Sequence, residues 1–368
     1  MKRTLLFAVA LWGLAAPGWT AAAQYVIHIS ADGLRGDVLA AMLKDNGAET
    51  LPGFRRFTAE GATTFNARTD YDYTVTLPNH TCMLTGRPVE QPAGQPSIMH
   101  HGYVWNSTPK RGETLHGHGN AHAPYVASVF DVVHDAGLST ALYASKKKFV
   151  LYERSWDAEH GADDKNGRDD GTDKIDRYVY ASNGDPDRAA ELNDSLLADL
   201  RSNPANYTFV HWVDLDAAGH EFGWGSSGWK ESLRTVEGYL VQVFDCIERE
   251  PQLAGRTAVL LTADHGGEGD GHGESTRRGD YTIPVLAWGA GVARGADLYE
   301  LNAATRADPG HERPDYVASP QPIRNGDTGN LALMLLGLPP VPGSSINARQ
   351  DLWVGTVGGT STSNPTVK

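Results

Sequence analysis

Short runs of apolar and β-branched residues alternate with segments of helical period along almost the whole chain. No other feature constrains the fold as much. "YVIHIS", "ATTFNART", "LSTALYAS", "YTFVHWVDLD", "TAVLLTADHG" and "YTIPVLAWG" read as strands. "DVLAAMLKDNG", "LPGFRRFTAEG", "LPNHTCMLTG", "VASVFDVVHDAG", "DRAAELNDSLLADLRSN", "WKESLRTVEGYLVQVFDCIE" and "NLALMLLGL" read as helices, several of them stopped by Gly. Strands interleaved with helices predict an α/β fold with a largely parallel sheet. At 368 residues the chain can form one large domain of this kind or two small ones. No internal repeat is visible.

In such sheets ligands bind beyond the carboxyl ends of the strands. Three of the predicted strands end in acids: "HIS" at Asp32, "FVHWV" at Asp214 and Asp216, and "AVLLTA" at Asp264, followed by His265. Carboxylates brought to one edge repel and call for a cation. Asp216 and His220 lie four apart across a Gly in "DAAGH", and "DHGGEGDGHGE" adds His272. Neutral imidazole with carboxylate is the ligand set expected for zinc, with harder ions tolerated. Counting the hydroxyl of Thr76 in "TVTLPNHT", seven ligands fill two sites, and two metals about 4 Å apart are a standard clamp for displacement at phosphorus.

Each fragment alone has a plainer explanation. An Asp after a strand commonly caps a helix or forms an Asx turn. His28, His134 and His211 are assigned to packing or the surface, and the glycine-spaced His100, His101, His116, His118 and His122 to a solvated loop. The three fragments together are far more specific than any one of them.

The remaining features bound the setting. The net charge of −13, with no basic half, argues against a nucleic-acid-binding surface. Cys82 and Cys246 either pair or serve as small buried residues. Residues 1–23 have a charged start, an apolar stretch and small residues near Ala23, the pattern of a signal peptide rather than of a membrane anchor, which needs about 20 apolar residues. A mature protein without a transmembrane anchor, exported to the periplasm or secreted, is expected. The predicted domain covers 24–350, with loop insertions at about 90–124 and 153–175, and 351–368 reads as a disordered tail.

"ADGLRGD", "TLPNHTCMLTG", "DLDAAGHEFG", "TADHGG" and "GHGE" resemble the ordered motifs of the alkaline phosphatase superfamily. They are most similar to its type I phosphodiesterase/nucleotide pyrophosphatase branch, over almost the whole mature chain. The resemblance implies a three-layer α/β/α sandwich, two Zn²⁺ ions (other divalent ions are possible), a small phosphate-ester substrate, and Thr76 as a nucleophile that becomes phosphorylated. It implies one zinc on Asp32, Asp264 and His265 and another on Asp216, His220 and His272. A large insertion that usually precedes the last histidine is missing here, so His311 is the fallback. The resemblance also implies that Asn106, in "HGYVWN", donates to a phosphoryl oxygen, and that Asp214, Asn79 and Glu274 support the site or start helices.

"ASKKKF" departs from the diesterase pattern, and Lys146 and Lys148 match a K-x-K of monoesterase-like and phosphonate-cleaving relatives. Two residues apart at the end of a strand, both face the phosphoryl group while Lys147 points away; otherwise the run is a solvated basic stretch. The expected function is an exported zinc-dependent phosphate-ester hydrolase. The alternatives are an alkaline phosphomonoesterase that uses Lys146 and Lys148, a sulfatase, which the absence of a C/S-x-P-x-R segment disfavours, and a non-catalytic metal- or phosphate-binding protein.

Overall fold

The computed structural model describes residues 21–45, 51–164, 171–181 and 189–355. The stretch 1–20 of the expected signal peptide and residues 356–368 of the expected tail lie outside the described residues. Residues 351–355 are described, and there Leu352 and Val354 are buried.

Eight strands form one sheet: β1 (Tyr25–Ala31), β2 (Ala62–Arg68), β3 (Thr140–Ala144), β4 (Arg177–Tyr180), β5 (Tyr207–Trp212), β6 (Thr257–Thr262), β7 (Thr282–Gly289) and β8 (Ala296–Asp297). Their order is β4-β3-β5-β1-β6-β7-β2-β8. β4 to β6 are mutually parallel, and β7 alone runs antiparallel to both of its neighbours. The departure has a local cause. Residues 263–281, between β6 and β7, carry no crossover helix, only the one-turn helix Arg278–Tyr281. A direct return gives an antiparallel pair, whereas parallel pairing needs a long crossover.

The central strands β1, β5 and β6 are almost wholly buried, which explains their unbroken apolar runs. The helices Thr76–Thr85, Val129–Asp135 and Asp327–Leu335 pack together as one layer. Pro52–Glu60, Ala189–Ser202, Asp214–Phe222 and Ser227–Arg249 pack together as another. The fold is thus the expected α/β/α sandwich with a mostly parallel sheet.

Two local readings change, and the open alternative for the cysteines is decided. The lysines of "ASKKKF" do not extend a strand: β3 ends at Ala144 and Lys147–Phe149 form a 3₁₀ turn. The segment 153–175, read as a surface loop, begins in the helix Val150–Ser155 and ends on buried Lys174, whose ammonium pairs with Asp164 and with Asp135 at 3.1 Å; its residues 165–170 lie outside the described residues. Cys82 and Cys246 are both buried and free.

Candidate metal centre

Asp32 follows β1 directly, Asp264 and His265 follow β6, and the helix Asp214–Phe222 after β5 carries Asp216 and His220 on one face, four residues apart. The loop between β6 and β7 returns His272 to the same place. The peptide bends sharply after Asp32: Gly33 has φ 76°, and a Cβ there would lie 3.0 Å from the Asp216 Cα, so only glycine lets the two segments approach.

Two groups of potential ligands result. Asp32, Asp264 and His265 form one, and Asp216, His220 and His272 the other, each with its ligand atoms within 4.8 Å of one another. Every carboxylate is held by one oxygen and bare at the other. Asp32 Oδ2 accepts from Lys146 and His211, Asp216 Oδ2 accepts from Lys146, and Asp264 Oδ1 accepts from the Gly33 and His265 amides. Asp32 Oδ1, Asp216 Oδ1, Asp264 Oδ2 and His265 Nε2 are buried with no hydrogen-bond partner among the described residues. Buried polar atoms are rarely left so. Four in one place, all with lone pairs for a cation, fit a metal centre.

The histidines point the same way. His265 Nδ1 lies 2.9 Å from the Gly266 carbonyl, His220 Nδ1 2.9 Å from that of Asp270, and His272 Nδ1 2.7 Å from that of Thr74. A carbonyl only accepts, so each Nδ1 carries a proton, and in the neutral ring each Nε2 presents a lone pair. Burial, with His272 alongside, lowers His265 to about 3, so its ring stays neutral. Burial also raises the Asp264 carboxyl, reinforced by the Asp32 charge; for Asp32, Lys146 and then His211 outweigh burial and hold it well below the carboxylate range. These opposite shifts within one cluster express crowded negative charge.

Thr76 is the first residue of the buried helix Thr76–Thr85. Its Oγ1 lies 3.4 Å from Lys146 Nζ, the atom that also contacts Asp32 and Asp216. Asn106 is drawn to the same helix end, where its Oδ1 accepts from the Leu77 amide at 3.0 Å and from Lys148 Nζ at 3.2 Å. Lys147 is exposed while Lys146 and Lys148 turn inward, on a 3₁₀ turn rather than on a strand. His311 is exposed, accepts a bond from Tyr281 through its backbone, and joins neither group. Glu274 is exposed, Asp214 accepts from the Tyr239 hydroxyl, and Asn79 bonds the backbone of Asp70 and Tyr73.

Two histidines gain a role that sequence reasoning missed. His211 donates to Asp32, and His80 joins Ser30 Oγ at 2.8 Å to the Thr76 carbonyl at 2.8 Å. For His211 the available signal was the strand itself, since a histidine inside a fully buried strand needs a polar partner, whereas His80 lies in the buried helix Thr76–Thr85. Of the loop histidines, His101 is buried beside Cys82, while His100 and His116 bond loop side chains or backbone.

The chain is similar to known proteins both in sequence and in fold. GPI ethanolamine phosphate transferase 1 of Gibberella zeae is 32% identical over 146 residues, which is 38% of this chain and 14% of the transferase. Its counterpart from Yarrowia lipolytica is 26% identical over 173 residues, 46% of this chain and 18% of the transferase. The chain therefore spans less than a fifth of the length of these relatives. Among solved structures, murine ectonucleotide pyrophosphatase/phosphodiesterase 5, an inactive form in complex with AMP, superposes with a TM-score of 0.57 at 15% identity over 89% of this chain and 99% of that one. A 2-O GAG sulfatase superposes with a TM-score of 0.54 at 11% identity, over 92% and 76%. At these identities the structural likeness concerns the fold alone. Residues 26–269 match the type I phosphodiesterase/nucleotide pyrophosphatase family, and because that match covers well over half of the 368 residues, the chain belongs to this family; the matched stretch includes Thr76 and every candidate ligand except His272.

Proposed function

We propose that this protein is an exported, divalent-metal-dependent phosphate-ester hydrolase with Thr76 as nucleophile. The observation that carries the proposal is the set of bare ligand atoms in two groups beside a threonine hydroxyl at a helix start. Asp32, Asp264 and His265 would hold one ion and Asp216, His220 and His272 the other, with zinc suited to the donors. Two such ions supply acidification of a hydroxyl or water and screening of phosphoryl charge. Thr76 Oγ1 gives up its proton and forms the bond to phosphorus, and the ester oxygen departs with its electron pair. Water then attacks the phospho-threonine, the proton it loses returns to the departing Thr76 oxygen, and the product is phosphate from a monoester or a phosphate monoester from a diester. Asn106 Oδ1 is occupied by two donors, so its Nδ2 is the atom available to a phosphoryl oxygen. Export rests on the pattern of residues 1–23, and sequencing of mature protein should find it beginning near Gln24.

The test is turnover of matched chromogenic phosphate monoesters, diesters and sulfate esters. Chelator should abolish phosphate-ester hydrolysis and added Zn²⁺ restore it. Thr76→Ala should retain its fold and metals but lose on the order of 10³-fold or more in kcat. Near-normal turnover by this variant, or preference for the sulfate ester, would overturn the proposal. Two of the relatives are transferases by name. Assays with an added alcohol read the acceptor, and transfer of the phosphoryl group to that added alcohol in place of water would make the enzyme a transferase.

A second reading, a monoesterase, is favoured by Lys148, whose ammonium reaches Asn106 and faces the site. A monoester is a dianion near neutral pH and a diester a monoanion. Lys148→Met should lower kcat/KM for the monoester about tenfold more than for the diester, the worth of one charge-assisted hydrogen bond. Equal losses on both would leave the diesterase reading.

A further inference from the structure

Lys146 is placed differently from Lys148. Its Nζ donates to Asp32 Oδ2 at 2.5 Å, to Asp216 Oδ2 at 2.6 Å and to Thr76 Oγ1 at 3.4 Å. An ammonium has three protons and no acceptor. Those three contacts use all of its donors and leave none for a phosphoryl oxygen. Both carboxylate contacts are made to the oxygen opposite the bare one, and the two carboxylates come from different ligand groups.

We propose that Lys146 is a positioning residue: it straps the two metal-ligand groups to each other and to the nucleophile, and it does not bind the transferring group. The assignment rests on the two-metal reading above. Its neighbours close a ring that fixes the strap. Ser145 Oγ lies 3.0 Å from His211 Nδ1, and His211 Nε2 lies 2.8 Å from the same Asp32 Oδ2 that Lys146 contacts. Consecutive residues, Ser145 through His211 and Lys146 directly, thus both reach one carboxylate oxygen. With that oxygen occupied, Asp32 can offer only Oδ1 to a cation, and Asp216 is restricted in the same way. Each aspartate then acts as a one-oxygen ligand of fixed direction.

The strap also has a cost, which makes it testable. Its positive charge sits on two carboxylates whose other, bare oxygens would hold cations, and like charges repel. Lys146 therefore weakens metal binding while it improves the geometry of the chemistry. A lysine that only contacted phosphate would have its main effect on phosphate affinity. Lys148 has that placement: among the described residues its ammonium has one hydrogen-bond partner, Asn106, so donors remain for an oxyanion.

The experiment is a calorimetric zinc titration of the wild type, Lys146→Met and Lys148→Met, combined with inhibition by inorganic phosphate and steady-state kinetics. Lys146→Met should bind zinc at least tenfold more tightly, lose at least tenfold in kcat with little change in KM, and keep more of its phosphate affinity than Lys148→Met does. Lys146→Gln, which keeps donors without the charge, should tighten zinc binding in the same direction and covers the case in which the methionine variant fails to fold. Unchanged zinc affinity with phosphate affinity reduced as far as in Lys148→Met would make Lys146 a substrate ligand and overturn the strap. Weaker zinc binding in both variants would reduce it to scaffolding and overturn it too. A wild type that binds no divalent ion would remove the two-metal reading itself, a result distinct from both.

Discussion

The three candidate ligand histidines are oriented by one device: a backbone carbonyl takes the Nδ1 proton and turns Nε2 inward. For His272 the device is doubled, because Thr74 Oγ1 donates back to the His272 carbonyl at 2.5 Å. The segment leading to Thr76 and the loop carrying His272 are thereby tied side by side. Nothing comparable holds His311, which is exposed. His272→Ala should accordingly lose about one metal per chain, as expected when a three-residue site loses a ligand. His311→Ala should retain both metals. Elemental analysis of the two purified variants decides, and the opposite stoichiometry would move the ligand to His311. The acids of this site were legible in the sequence, since Asp32, Asp216 and Asp264 each interrupt or follow an apolar run at a strand end. His211 and His80 were not, because their partners are contributed across the fold: His211 meets Asp32 only once β1 and β5 pair, 179 residues apart in sequence.

At the scale of elements, the alternation of patterns was enough for the sheet and most helices. It could not give the direction of β7, which depends on what the intervening loop omits, nor the 3₁₀ turn at Lys147–Phe149, where strand and turn share the same residues. One helix owes its start to a residue far away. Pro52–Glu60 has no side-chain cap of its own at Leu51, and Glu237, from the long helix Ser227–Arg249, accepts from the amides of Gly53 and Phe54 instead. Glu237→Ala leaves both donors without that acceptor and should cost about 1–3 kcal/mol. Burial raises the Glu237 carboxyl to about 7 from its usual 4.5, outweighing the two amides that pull it down. The folded chain therefore holds this proton more tightly than the unfolded one. The stabilisation from this group is complete below about 4.5 and is lost as pH rises through about 7. Thermal melts across that window should show the wild type losing stability relative to Glu237→Gln as pH rises. A constant difference, or one that grows in favour of the wild type, would mean that the carboxylate is stabilised by the helix start rather than penalised by burial.

For the whole molecule, the notable fact is where the charge lies. The three central, parallel strands β5, β1 and β6 form the best-buried part of the sheet, and each delivers a carboxylate to the same edge. Lys146 supplies one positive charge against those three. The two candidate ligand groups draw on β1, β5, β6 and the β6–β7 return, so ions bound there would cross-link segments that fold from distant parts of the chain. The unfolded chain has no such arrangement, and binding free energy becomes folding stability. At a hundredfold excess over its dissociation constant, each ion contributes about 2.7 kcal/mol. For two ions that amounts to roughly 5 kcal/mol, or a rise in Tm on the order of ten degrees in a chain of this size. Removing metal by chelation should lower Tm by about that amount, and Zn²⁺ should restore it in proportion to the logarithm of its concentration. Asp216→Asn removes the anionic ligand of one group and should retain about half of the shift. The measurement is a melt series in zinc-buffered solution. A Tm that ignores zinc in the wild type would show that these carboxylates are balanced by the protein alone, through Lys146, His211 and the amides that already bind their other oxygens.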